Sequence, residues 1–201
     1  MNPQIPCLFR TYQAPKYPAP NCTIWEAVRA TSAAPAFFKR IVIDGEPYVD
    51  GGMGCNNPVQ QVLQEAELMF PDGQVACIIS IGNGQAQTIS IPKPGWSQGM
   101  LPLTAVDAMQ RIATDCVESA QVAARRFEGT PGTYFRFNVE QGLQEVGLEQ
   151  WERLEELSAL TGNYIRMADV DPRLDAAVAS ICERQGVVPT AHTSTDVPNL
   201  C

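Results

Sequence analysis

The stretch Tyr48-Val49-Asp50-Gly51-Gly52-Met53-Gly54-Cys55-Asn56-Asn57-Pro58-Val59 constrains the fold more than any other part of the chain. Its glycines open backbone paths that residues with a Cβ avoid. Asn57 can cap a helix and Pro58 can occupy its first turn, so a helix is expected from here to about Phe70, with Val59, Val62, Leu63, Ala66 and Met69 on its apolar face. Upstream, Ile41-Val42-Ile43 and Glu46 to Asp50 flank Asp44-Gly45, a dipeptide that tolerates the positive φ values of a type I′ turn. The pattern predicts a hairpin whose second strand delivers Asp50 at its end. Strand, glycine turn and helix in this order point to an α/β layered fold.

The remaining punctuation agrees. Residues 12–21 hold three prolines and read as an extended loop. Thr23 and Glu26 have capping-box spacing, which starts a short helix reaching about Thr31. Residues 75–81 form a short continuous apolar run rich in β-branched residues, as expected of a strand covered on both faces. Helical patterns follow over 103–127, over 148–160 with Trp151, Leu154, Leu157 and Leu160 on one side, and from an Asp171 cap with Pro172 to about Arg184. One domain over 1–185 is expected, with residues 186–201 as a disordered tail.

Composition narrows the function classes. The formal charge of −8 argues against nucleic acid, which needs clustered Lys and Arg, and against long-range steering to anionic lipids. A local apolar membrane contact stays open. No apolar run approaches the roughly 20 residues of a membrane-spanning helix. Seven cysteines without a CxxC pair suit reduced thiols, and the first residues lack a basic segment leading into an apolar one, so a cytoplasmic setting is expected. No EF-hand-like loop or clustered ligand set is present, so no metal or cofactor is expected.

Four blocks taken together, LFRTY (8–12), IWEAVRATSAAPAFF (24–38), YVDGGMGCNNPV (48–59) and IISIGNG (78–84), resemble consecutive segments of the patatin-like phospholipase family. The resemblance implies an α/β fold with a mainly parallel sheet flanked by helices, and a lipid acyl hydrolase acting on phospholipids or acylglycerols through a Ser-Asp dyad. It gives Asp50 the role of the catalytic aspartate that activates the serine without histidine. Gly51, Gly52, Asn56, Asn57 and Pro58 form the motif around it, and the two asparagines read as caps and turn formers. In the family, a glycine-rich oxyanion loop and a GxSxG serine block precede the ATSAAP segment. This chain begins too late to include either, so a domain truncated at its N-terminus and inactive alone is expected.

Two other readings stand beside this one. A catalytically dead descendant would act as a binding or regulatory module, associating through an exposed sheet edge. Gly95-Trp96-Ser97-Gln98-Gly99 is a literal GxSxG resembling the nucleophile box of cutinases, with Asp169, Asp171 or Asp175 and then His192 in the hydrolase order. Pro92, Pro94 and Pro102, however, interrupt the strand and helix that a nucleophile elbow requires. Ser32 reads as closing its helix, Gly82-Asn83-Gly84 as a plain turn, and Trp25 and Trp151 as packing residues.

Overall fold

The computed structural model describes residues 6–35, 37–84, 116–139, 141–142, 146–147, 150–184 and 188–193. The chain divides into two compact units, one comprising residues 1–58 and 89–116, the other residues 59–88 and 117–201.

In the first unit, helix α1 spans Ile24–Thr31. Its capping box is reciprocal: the Glu26 N–H donates to Thr23 Oγ1 at 3.4 Å, while the Thr23 N–H donates to the Glu26 carboxylate at 2.8 Å. This satisfies donors that a helix start leaves without intrahelical partners. The helix buries its small residues, Ala30 being 1% exposed, and turns Ile24, Trp25 and Val28 outward. After it, β1 (Ile41–Ile43) and β2 (Glu46–Tyr48) pair antiparallel with Ile41 opposite Tyr48. Asp44 at φ 51° and Gly45 at φ 84° make the turn that Asp-Gly predicts. The Phe9 ring lies 5.4 Å from that of Tyr48, anchoring the entering chain to the hairpin.

The second unit opens with α2 (Val59–Met69), followed by β3 (Gln74–Val75) and β4 (Ile78–Ile81). Next come α3 (Val117–Arg126) and β5 (Tyr134–Phe137). A 3-10 turn, Trp151–Arg153, then leads into α4 (Leu154–Tyr164). Helix α5 (Asp171–Glu183), β6 (Val188–Pro189) and a last 3-10 turn (Thr190–His192) complete the described order. β4 and β5 run parallel with Ile78 opposite Tyr134, and β3 pairs antiparallel with β6.

β5 has two packed faces because its side chains alternate. Tyr134 faces a cluster of Val59, Leu63, Ala123, Phe127 and Val188, while Phe135 and Phe137 pack with Val170 and Ala177. The architecture is α/β as expected, and among the described residues parallel pairing is confined to β4 and β5.

Several expectations need correcting. The single apolar run at 75–81 is two strands with different partners, and Ile79 and Ile81 are exposed rather than covered. Val62 points outward from α2, and Trp151 and Leu154 are exposed instead of sharing a packed side. Asp171 lies within α5, whose cap position is Val170. Of the helix expected over 103–127, only the part from Val117 falls among the described residues. Residues 188–193 belong to the fold, since β6 pairs with β3 and Thr190 and Thr193 are buried.

Candidate active site

Asp50 lies just past β2, which ends at Tyr48, rather than on its last residue. It is half-buried and held from both sides. Its N–H donates to the carbonyl of Ala33 at 3.2 Å, which ties the ATSAAP block to the DGG block. Its own carbonyl accepts from the Met53 N–H at 3.2 Å, and its Oδ1 accepts from the Gly52 N–H at 2.7 Å. A short charge-assisted bond of this kind orients a carboxylate in its rest position.

The glycines have separate reasons. A Cβ on Gly52 would lie 3.1 Å from Asp50 Oδ1, tighter than ordinary contact, and at a normal 3.6 Å from Asn56 Oδ1, so the glycine leaves the Asp50 carboxylate undisturbed. Gly51 is open, with nothing within 4 Å of an added Cβ. Gly54 stands at φ 105°, a value residues with a side chain rarely adopt, and it lets Gly52–Cys55 form an irregular turn rather than a helix. The Cys55 N–H closes that turn on Gly51 O at 2.9 Å. Asn57 is buried at 5% exposure and Pro58 directly precedes α2. Cys55 is partly buried, which pushes its thiol pKa up and away from ready ionisation.

Asp50, Gly51, Gly52 and Asn56 thus meet in one turn. Ser32 does not join them, because its Oγ donates to Val28 O at 2.9 Å and closes α1. Gly82-Asn83-Gly84 ends β4 in a turn stitched to the end of β5: the Gly82 N–H donates to Phe137 O at 2.8 Å and the Gly84 N–H to Asn138 Oδ1 at 3.0 Å. Beside it, Arg136 Nη1 donates to the buried Ser80 Oγ at 2.9 Å. Ser97 and its flanking glycines lie outside the described residues, while His192 is exposed on its 3-10 turn.

The contribution of Ala33 was not visible as chemistry in the sequence, because it acts through its carbonyl. Nor was that of Asn138, whose amide only finds Gly84 once β4 and β5 pair. Among the described residues, no helix is long and apolar enough to cross a membrane, and no three His, Cys, Asp or Glu side chains cluster as a metal site would require.

Comparison with known proteins falls on the same segment. The model of the patatin-like phospholipase family matches residues 6–63, which include both the ATSAAP and the DGG blocks. The chain is similar to phospholipase A I of Arabidopsis thaliana, 38% identical over 73 residues, covering 36% of this chain and 6% of that protein. It is similar to calcium-independent phospholipase A2-gamma of Oryctolagus cuniculus, 29% identical over 144 residues, covering 71% of this chain and 18% of that protein. The human protein of the same name is 27% identical over 117 residues, covering 57% and 14% respectively. The chain therefore spans a small fraction of the length of these relatives. No solved structure gave a significant match.

Proposed function

We propose, from the patatin-like phospholipase segment that this chain carries, that it is part of a lipid acyl hydrolase in which Asp50 is the base of a Ser-Asp dyad. The observation that carries the reading is the clamp on Asp50, whose Oδ1 accepts from Gly52 and whose N–H reaches Ala33 across the two blocks of the family match. A base must be positioned before it can act, and positioning alone can supply much of a rate enhancement.

In the proposed reaction Asp50 Oδ2 takes the proton of a serine hydroxyl as its oxygen attacks the ester carbon of the lipid. The tetrahedral oxyanion is stabilised by backbone N–H donors, each worth about 3 to 4 kcal/mol in such sites. Collapse breaks the ester bond, and the proton passes from Asp50 to the departing alcohol. Water, deprotonated by the same carboxylate, then releases the fatty acid and restores the serine. The serine and the oxyanion loop belong to blocks that precede ATSAAP in the family, so residues 1–201 alone are proposed to turn over little. The free thiols of Cys7, Cys22, Cys55, Cys77 and Cys182 fit a reducing, cytoplasmic setting.

The test is release of p-nitrophenol from short and long acyl esters by this chain, by a chain extended with a family serine block, and by Asp50→Ala and Ser97→Ala variants of each. The proposal expects activity only in the extended chain and a loss of at least about a hundredfold with Asp50→Ala. Activity lost with Ser97→Ala and kept in Asp50→Ala would refute it in favour of the cutinase-like box. Absence of activity in the extended, folded chain would favour a non-catalytic module.

A further inference from the structure

Helix α1 packs the reverse of an ordinary surface helix. Its small residues Ala27 and Ala30, with Ala33 just beyond, turn inward, whereas Ile24, Trp25 and Val28 lie 81%, 64% and 60% exposed. At 3.6 residues per turn, positions 24, 25, 28, 29 and 32 share one arc, so the large apolar groups sit beside Arg29. Arg29 then extends the face. Its guanidinium lies 5.5 Å over the Phe38 ring and donates to the carbonyl of Lys39, strapping that segment to the helix. Phe37, Phe38, Lys39 and Arg40 are exposed there as well.

The charge on this face departs from that of the whole chain. Between Glu26 and Asp44 there is no carboxylate, while Arg29, Lys39 and Arg40 all fall in that interval. Residues 6–58 carry five basic side chains (Arg10, Lys16, Arg29, Lys39, Arg40) against four acidic ones (Glu26, Asp44, Glu46, Asp50), although the complete chain has a charge of −8. Exposed Trp, Phe, Ile and Val flanked by Lys and Arg form the composition that settles at a lipid–water boundary, with aromatic rings at headgroup level and cations against phosphate.

We infer that the outward arc of α1 and the segment Phe37–Arg40 form a docking face for an anionic lipid surface. The inference rests on the hydrolase reading, which requires the protein to reach ester bonds packed in a bilayer, and adds to it where on the chain that contact is made. Net acidity does not oppose it, because at physiological salt charges are screened over about 8 Å and the local basic cluster governs the contact.

Co-sedimentation of the 201-residue chain with vesicles tests the face without any turnover. The chain should pellet with phosphatidylcholine vesicles containing phosphatidylserine, weakly with phosphatidylcholine alone, and less as salt rises. Lys39→Ala combined with Arg40→Ala should weaken partitioning about thirtyfold, and Trp25→Ser combined with Phe37→Ser about tenfold or more. Val62→Ser, which removes an equally exposed apolar group from α2, should leave it unchanged while circular dichroism confirms that all variants are folded. Failure to bind anionic vesicles, or equal loss with Val62→Ser, would overturn the inference. So would a dimer in gel filtration that Trp25→Ser dissociates, since the face would then cover a second copy. Absence of ester hydrolysis in the chain extended with a family serine block, with vesicle binding intact, would count against the hydrolase reading alone.

Discussion

Gly82→Ala is the sharpest perturbation the second unit offers. A methyl group there would lie 2.1 Å from Asn138 Oδ1, 2.8 Å from Asn138 Cγ and 2.4 Å from Arg136 Nη2, well inside contact distance for all three. Both side chains must move, and both have work at that point. Asn138 Oδ1 accepts from the Gly84 N–H at 3.0 Å, and Arg136 donates to Ser80 Oγ at 2.9 Å. Overpacking of this degree costs about 1 to 3 kcal/mol. Each released hydrogen bond adds roughly 1 kcal/mol, more where a buried group such as Ser80 is left to find another partner. A total of about 3 to 5 kcal/mol follows. With a urea slope of roughly 2 kcal/mol/M, the unfolding midpoint should fall by about 1.5 to 2.5 M. The assay is urea unfolding followed by far-ultraviolet circular dichroism, with Gly129→Ala as the control, because an added Cβ at Gly129 meets nothing within 4 Å. A midpoint shift under about 0.5 M at unchanged slope would refute the claim that β4 and β5 are locked together through Gly82.

Thr23→Ala should remove the side-chain half of the capping box, leaving the Thr23 N–H on Glu26, and cost about 1 kcal/mol, read as a lower melting temperature. The cap also depends on pH: hydrogen bonds from Thr23 hold the Glu26 carboxyl below its ordinary pKa, so its contribution is present above the ordinary carboxylate range and lost as pH falls through the lowered value. Acidification should therefore reduce the melting-temperature gap between wild type and Thr23→Ala. Burial raises the thiols of Cys55 and Cys77, so their contribution to stability is complete below the ordinary thiol pKa and is lost as pH rises through the raised one. In native protein at mildly alkaline pH, iodoacetamide should label exposed Cys7 and Cys182 well before Cys55 and Cys77, with mass spectrometry as the readout. Gly52→Ala should disturb the Asp50 clamp where Gly51→Ala does not, because only the former brings a Cβ to 3.1 Å from Oδ1; in the extended chain this should appear as a lower kcat for Gly52→Ala alone.

Signals contained in a few neighbouring residues were legible in advance. The Thr23–Glu26 box, the Asp-Gly hairpin turn and the helix after Pro58 depend on backbone preferences and short-range hydrogen bonds, and each was found within a residue or two of its expected place. The errors arose where partners are distant. Val75 and Ile78 belong to one apolar run, yet Val75 meets Val188 and Ile78 meets Tyr134, pairings that local periodicity does not encode. Phe135 and Phe137, two residues apart, are the sequence's signal for β5, which the expected elements leave out. β6 reads as tail in the sequence because two residues show no pattern until β3 lies beside them.

The order of blocks and the glycine turn at Asp50-Gly51-Gly52 were legible in the sequence itself, because a carboxylate beside two glycines is a local statement of residue type and backbone freedom. Tertiary structure decided the rest: that the carbonyl of Ala33 holds the backbone of Asp50, that Gly82 yields its side-chain space to Asn138, and that α1 buries alanines and presents Trp25. An amphipathic pattern says that a helix has two faces. Which face turns inward depends on the volume left between packed elements, and here the space behind α1 accommodates methyl groups rather than an indole.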